Sequence, residues 1–106
     1  MKKIILKAKG DIKSELNLKN LSKIDFIKNI DFTKNLKVLY DNKEISLENL
    51  FHVREEKSVK RKSELILYGL NKSCNFLGWK WKNGSIVVKS NIGSYLGSKM
   101  TGGSIL

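Results

Sequence analysis

The sequence predicts a mainly β protein: a small α+β cap over residues 1–56, a basic linker over 57–64, and over 65–106 the first coils of a β-solenoid built on a 19-residue glycine-rich repeat. Three observations lead there. The chain has 106 residues, 41% hydrophobic and 29% charged, which suits one compact folded unit with a small core. Composition changes along it: residues 1–53 carry eleven Lys and seven acids, whereas residues 65–106 carry five Lys and no acid. The third observation is an internal repeat, described below after the elements that precede it.

Lys3 to Ala8 surrounds an Ile-Ile-Leu run and is closed by Gly10-Asp11, which reads as a strand ending in a turn. Leu16, Leu18, Leu21, Ile24, Ile27 and Ile30 then recur at mixed spacings of two and three, predicting a loop that enters a short helix over 21–29 with Ser22 as its candidate cap. Leu36 to Tyr40 is an apolar strand. The short polar residues Asp41-Asn42-Lys43 suit a tight turn, and Glu44 to Ser46 completes a hairpin. Ser46 to Asn49 resembles one helical turn, after which Leu50, Phe51 and Val53 return the chain to the core. From Arg54 to Glu64 the charges are dense and Val59 is the one large apolar residue, so the segment is expected to be a solvated loop.

Beyond it, Phe76 to Val87 (FLGWKWKNGSIV) aligns with Tyr95 to Leu106 (YLGSKMTGGSIL), with six of twelve positions identical. The identities are Leu77/Leu96, Gly78/Gly97, Lys80/Lys99, Gly84/Gly103, Ser85/Ser104 and Ile86/Ile105. Short β units with glycine at fixed offsets stack as coils, their strands about 4.8 Å apart, and glycine lets each coil turn a corner in one or two residues. The same offset carried backwards from Ile86 reaches Leu67. Leu67, Ile86 and Ile105 are therefore expected to form one inward stack, and Trp81 and Met100 another.

Several chemistries are excluded or disfavoured. A single cysteine, Cys74, permits no internal disulfide and no thiolate zinc or iron–sulfur site. His52 is the sole histidine; its pairing with Cys74 as base and nucleophile is formally open, but nothing frames it, and a packed strand residue and a buried thiol are the expected roles. No cluster has metal-ligand spacing and no glycine pattern cradles phosphate. No apolar run approaches the roughly 20 residues of a membrane helix, and no signal-peptide core follows Lys2-Lys3, so a cytoplasmic location is expected. The net charge of +11 and the Trp79-Lys80-Trp81-Lys82 run leave a small basic nucleic-acid-binding module as the alternative reading.

Gly93 to Leu106 (GSYLGSKMTGGSIL) resembles the glycine-repeat domain found in the C subunit of formylmethanofuran dehydrogenase, in its bacterial formyltransferase/hydrolase counterpart, and in the glutamate synthase large subunit. Gly97, Met100, Gly102, Gly103 and Ile105 occupy the motif positions; Gly78, Gly84 and Ile86 belong to the preceding coil, which has Trp81 for Met and Asn83 for the first paired Gly. The leading strand KKIIL, a short helix region and then Lys37 to Val53 (KVLYDNKEISLENLFHV) resemble the opening of the C subunit, which favours that host over glutamate synthase. The resemblance implies a right-handed β-helix, a structural role contacting the catalytic subunits, and no catalytic, cofactor-binding or metal-binding residue in this chain. A molybdenum or tungsten pterin and a furan-type formyl carrier would belong to partner subunits. Family members continue for several more coils, so this chain is expected to be an N-terminal portion, or to be completed by a second polypeptide. Lys80 and Lys99 are repeat-equivalent and would lie side by side, a candidate contact for an anionic partner such as a glutamate-rich carrier tail. The alternative is a solvated Lys-rich surface.

Overall fold

The computed structural model of the chain describes residues 2–59, 62–71, 73–77, 80, 81, 84–89, 104 and 105. Among the described residues, nine strands and two short α-helices follow in the order β1 (Lys2–Ala8), β2 (Leu16–Asn17), α1 (Ile30–Lys34), β3 (Lys37–Tyr40), β4 (Lys43–Ser46), α2 (Leu47–Leu50), β5 (Phe51–Lys57), β6 (Glu64–Tyr68), β7 (Cys74–Asn75), β8 (Ser85–Val88) and β9 (Ser104–Ile105). They form two sheets, ordered β5-β1-β6-β8-β9 and β4-β3-β2-β7.

Each sheet contains a parallel ladder that advances in chain order. In the first, Ile4 pairs with Leu65, Leu65 with Ile86, and Ile86 with Ile105. In the second, Leu16 pairs with Cys74 and Asn17 with Asn75. The turns that join the two ladders also stack: Asn71 Nδ2 donates to the Ile12 carbonyl at 2.9 Å, while Asn71 Oδ1 accepts from the Ser73 N–H at 2.8 Å. The repeat signal begins at Phe76, yet the ladder begins at β1, because the first strand already supplies the Ile4–Leu6 face on which β6 is laid.

The excursion between β2 and β6 closes one side of both ladders. β5 runs antiparallel along β1, and the β3-β4 hairpin runs antiparallel along β2. Arg54 to Lys57, expected to be loop, belong to β5. An edge strand tolerates charge on both faces, and here cross-strand ion pairs hold it: Lys2–Glu55 at 3.3 Å and Lys3–Glu56 at 3.7 Å. Residues 58–63 then connect β5 to β6, tied down where the Ser58 hydroxyl donates to Glu64 Oε1 at 3.2 Å.

The expected hairpin is present, with Asp41 and Asn42 at φ 53° and 62° and Tyr40 opposite Lys43, the two-residue turn whose twist matches its strands. The expected helix over 21–29 is not formed. A 3-10 turn spans Lys19–Lys23, with Ser22 Oγ donating to the Lys19 carbonyl rather than capping. Asp25 Oδ1 then accepts the Ile27 N–H, and Asn29 Oδ1 accepts the Asp31 N–H to cap α1. These side-chain bonds divert the backbone from a continuous helix.

One buried cluster joins the sheets. It contains Ile4, Leu6, Phe51, Leu65, Leu67 and Ile86 of the first sheet and Leu16, Val38 and Cys74 of the second, with Leu18, Leu21, Leu47, Leu77 and Trp81. Full burial of such side chains contributes about 1.5–3 kcal/mol each before entropy is counted. Among the described residues, no helix is long and apolar enough to cross a membrane.

Candidate interaction surface

The corner leading into β8 carries several of the residues the repeat singled out. Gly84 has φ +72°, and a Cβ there would meet the Ser63 carbonyl oxygen at 2.2 Å. That close approach lets Ser85 N–H donate to the same oxygen at 3.0 Å and brings β8 alongside β6. Trp81 is buried at 3% exposure; its indole N–H donates to the Gly84 carbonyl at 3.2 Å, and its ring meets Phe26 edge-on with centroids 6.0 Å apart. Trp81 is therefore unavailable for base stacking. Lys80, exposed, takes a left-handed backbone at φ 55° just before it. Gly78, Gly97, Lys99, Met100, Gly102 and Gly103 lie outside the described residues.

The register corrects one inward stack. Leu65, rather than Leu67, pairs with Ile86, and Leu67 pairs with Val88. The connection from β6 to β8 is two residues longer than the 19-residue repeat, and a shift of two leaves both leucines facing inward. A second corner glycine was not singled out by the repeat: Gly69, at φ +82°, ends β6 where a Cβ would meet Ala8 Cβ at 2.9 Å.

Cys74 and His52 lie on different sheets, the first buried on β7 and the second exposed on β5. Burial pushes the Cys74 thiol up, only partly offset by its hydrogen bond with the Asn71 backbone, which makes it a poor nucleophile. Among the described residues, no group of three His, Cys, Asp or Glu could hold a metal ion. A groove of about 320 Å³ beside His52 is lined by Lys9, Lys34, Glu48 and Asn49 together with Phe51 and Val53.

The side chains that alternate away from the core cluster in the first sheet form three cross-strand rows, in which Ile5, Glu64 and Ser85 are themselves buried. Glu56, Lys3, Glu64 and Ser85 make one; Arg54, Ile5, Ile66 and Val87 the next; His52, Lys7 and Tyr68 the third, continued by Lys89, whose N–H donates to the Leu67 carbonyl. Ile5, Ile66 and Val87 all stand outside the core cluster. Reading the sequence strand by strand does not find these rows, because they exist only once the register is known; the alternation within Lys3-Ile4-Ile5-Leu6-Lys7 and Glu64-Leu65-Ile66-Leu67-Tyr68 is the available signal.

The class of architecture is thus a mainly β protein whose parallel ladders are closed on one side by antiparallel strands. No protein-family model matches the chain, and no curated protein matches it. Among solved structures, a chain in the crystal structure of the formyltransferase/hydrolase complex from Methylorubrum extorquens, in complex with methylofuran, matches with a TM-score of 0.70 over 95% of this chain at 22% identity. This chain spans 37% of the length of that one, and at this identity the likeness is one of fold.

Proposed function

We propose that this chain is a structural, non-catalytic subunit, or the N-terminal portion of one, in a one-carbon complex of the formyltransferase/hydrolase or formylmethanofuran dehydrogenase type. Its two parallel ladders are then the first coils of a right-handed β-helix that organises the catalytic subunits. The observation that carries this reading is the fold match to a chain of the Methylorubrum extorquens complex over 95% of the residues. The in-register pairing of Ser85 with Ser104 and Ile86 with Ile105, the repeat-equivalent positions, supports the coil assignment.

In this reading the pterin-bound metal and the furan-type carrier reside in partner subunits, and the residues of this chain supply rigid surface. Lys80, exposed on a left-handed corner, is proposed to meet an anionic group of a partner, with Lys99 proposed beside it on the next coil. The test is affinity purification of the tagged chain from its source cells, with the recovered proteins identified by mass spectrometry. The expected result is a stoichiometric assembly with other subunits that carries formyl-transfer activity. Recovery of the chain alone, or with nucleic acid, overturns the proposal.

A further inference from the structure

A lysine held partly out of water needs a partner for its charge more than an exposed one does, and four lysines among the described residues are partly buried: Lys2, Lys3, Lys19 and Lys34. Lys2 is paired with Glu55 at 3.3 Å and Lys3 with Glu56 at 3.7 Å. Lys19 lies over the Phe76 ring, 4.3 Å from its centroid. Lys34 differs from all three. Among the described residues it has no ion pair, hydrogen-bonded side chain or ring contact, although Asp31 stands one turn earlier on α1.

Lys34 lines the groove of about 320 Å³ beside His52, where four segments converge. Lys34 comes from the last turn of α1, Glu48 and Asn49 from α2, and His52 from the start of β5. Lys9 follows β1, fixed where its backbone N–H donates to the Leu50 carbonyl at 3.0 Å. Two ammonium groups, an imidazole and an amide thus meet one carboxylate, Glu48, which pairs with neither lysine. The volume lies at the lower end of the roughly 300–1,000 Å³ of small-molecule sites.

The donor set selects the anion. Among the described residues no arginine lines the groove, so the planar fork that grips a carboxylate through two parallel bonds is missing. Lysines from separate elements act as point charges approaching from different directions, which suits the tetrahedral oxygens of a phosphate. A phosphomonoester carries about −1.5 to −2 charge at pH 7, more than the single charge of a phosphodiester. We propose that this groove binds a phosphate group, the dianionic end of a small phosphomonoester, between Lys34, Lys9 and His52. The site needs no partner subunit, so the chain by itself suffices to test it.

The full chain, isotope-labelled for NMR, is titrated at fixed ionic strength with inorganic phosphate, succinate and dimethyl phosphate. The amide resonances of Lys9, Lys34, Asn49 and His52 are expected to shift saturably with phosphate, and the other two probes to bind at least about five-fold more weakly. Lys9→Gln/Lys34→Gln is expected to weaken phosphate about ten-fold, and Lys13→Gln/Lys43→Gln, the same charge change away from the groove, under about two-fold. Glu48→Gln removes the one opposing carboxylate and should tighten phosphate about three-fold. Circular dichroism confirms that the variants remain folded; if the first double variant unfolds, Lys9→Gln/His52→Gln replaces it. Absence of a saturable shift at the groove, equal losses in the two double variants, or unchanged or weaker binding by Glu48→Gln overturns the site. Succinate or dimethyl phosphate binding as tightly as phosphate overturns its assignment to a phosphomonoester.

Discussion

Gly84 lies directly against Ser63: a β-carbon on the glycine would come within 2.2 Å of the serine carbonyl oxygen, the acceptor that ties β8 to the end of the β5–β6 connection. Gly84→Ala therefore combines a left-handed backbone with a backbone collision. The expected loss is about 2–4 kcal/mol, from left-handed strain of about 1–2 kcal/mol and disruption of the Ser85–Ser63 hydrogen bond. Gly10→Ala, where a new Cβ meets nothing within 4 Å, is the control and should change stability by under about 0.5 kcal/mol. Urea midpoints measure both; equal effects would show that Gly84 is not a close-packed corner.

The hairpin turn offers a stabilising change. Asn42 has φ 62°, where glycine carries no steric penalty, so Asn42→Gly should raise stability by about 0.5–1 kcal/mol, and Asn42→Val should lower it by about 1–2 kcal/mol. Thermal unfolding of the pair gives the ordering, and a Val variant as stable as Gly would contradict the turn geometry.

Thr33 is buried at 1% exposure on α1, and its hydroxyl has no hydrogen-bond partner among the described residues. Thr33→Val keeps the shape and removes the desolvated hydroxyl. A gain of about 1 kcal/mol is expected in the urea midpoint. A loss instead would reveal a partner for the hydroxyl.

Cys74 links stability to alkaline pH. Burial raises its folded-state pKa, so above the ordinary thiol value the unfolded chain has released a proton that the folded chain retains. The unfolded state then binds fewer protons, and stability falls as pH rises through that range. Between pH 8 and pH 10, roughly the window around the free-thiol pKa, the wild type should lose more stability than Cys74→Ala. Parallel profiles for the two proteins would rule out a protected thiol, as would rapid modification of folded Cys74 by a thiol reagent.

Much of the fold is legible where one local signal acts without a competitor. Asp41-Asn42 between two apolar runs specifies the hairpin, and glycine spacing pairs Ile86 with Ile105. The helix expected over 21–29 fails because Asp25 and Asn29 spend their side chains on nearby N–H groups, a competition that apolar spacing does not register. Leu67 is expected where Leu65 stands because both occupy the same face, and a pattern of period two does not resolve a shift of two. β5 is concealed by its charges: Arg54, Glu55, Glu56 and Lys57 look like loop until Lys2 and Lys3 are brought opposite them. The outward rows are illegible for a related reason, since Ile5, Ile66 and Val87 are far apart in sequence and become neighbours only through the parallel register.

The separation of β1 from β6 also sets an order of events for the growing chain. Ile4, Ile5 and Leu6 leave the ribosome long before Leu65, Ile66 and Leu67, their parallel partners, exist. The β3-β4 hairpin and the α2 turn after it depend on near neighbours and can form first, whereas the first sheet waits on contacts of high sequence separation, the kind that slow folding. β5 emerges before β6 and is the strand that can shield the Ile-Ile-Leu segment in that interval, covering with charged residues an edge that would otherwise be offered to other nascent chains.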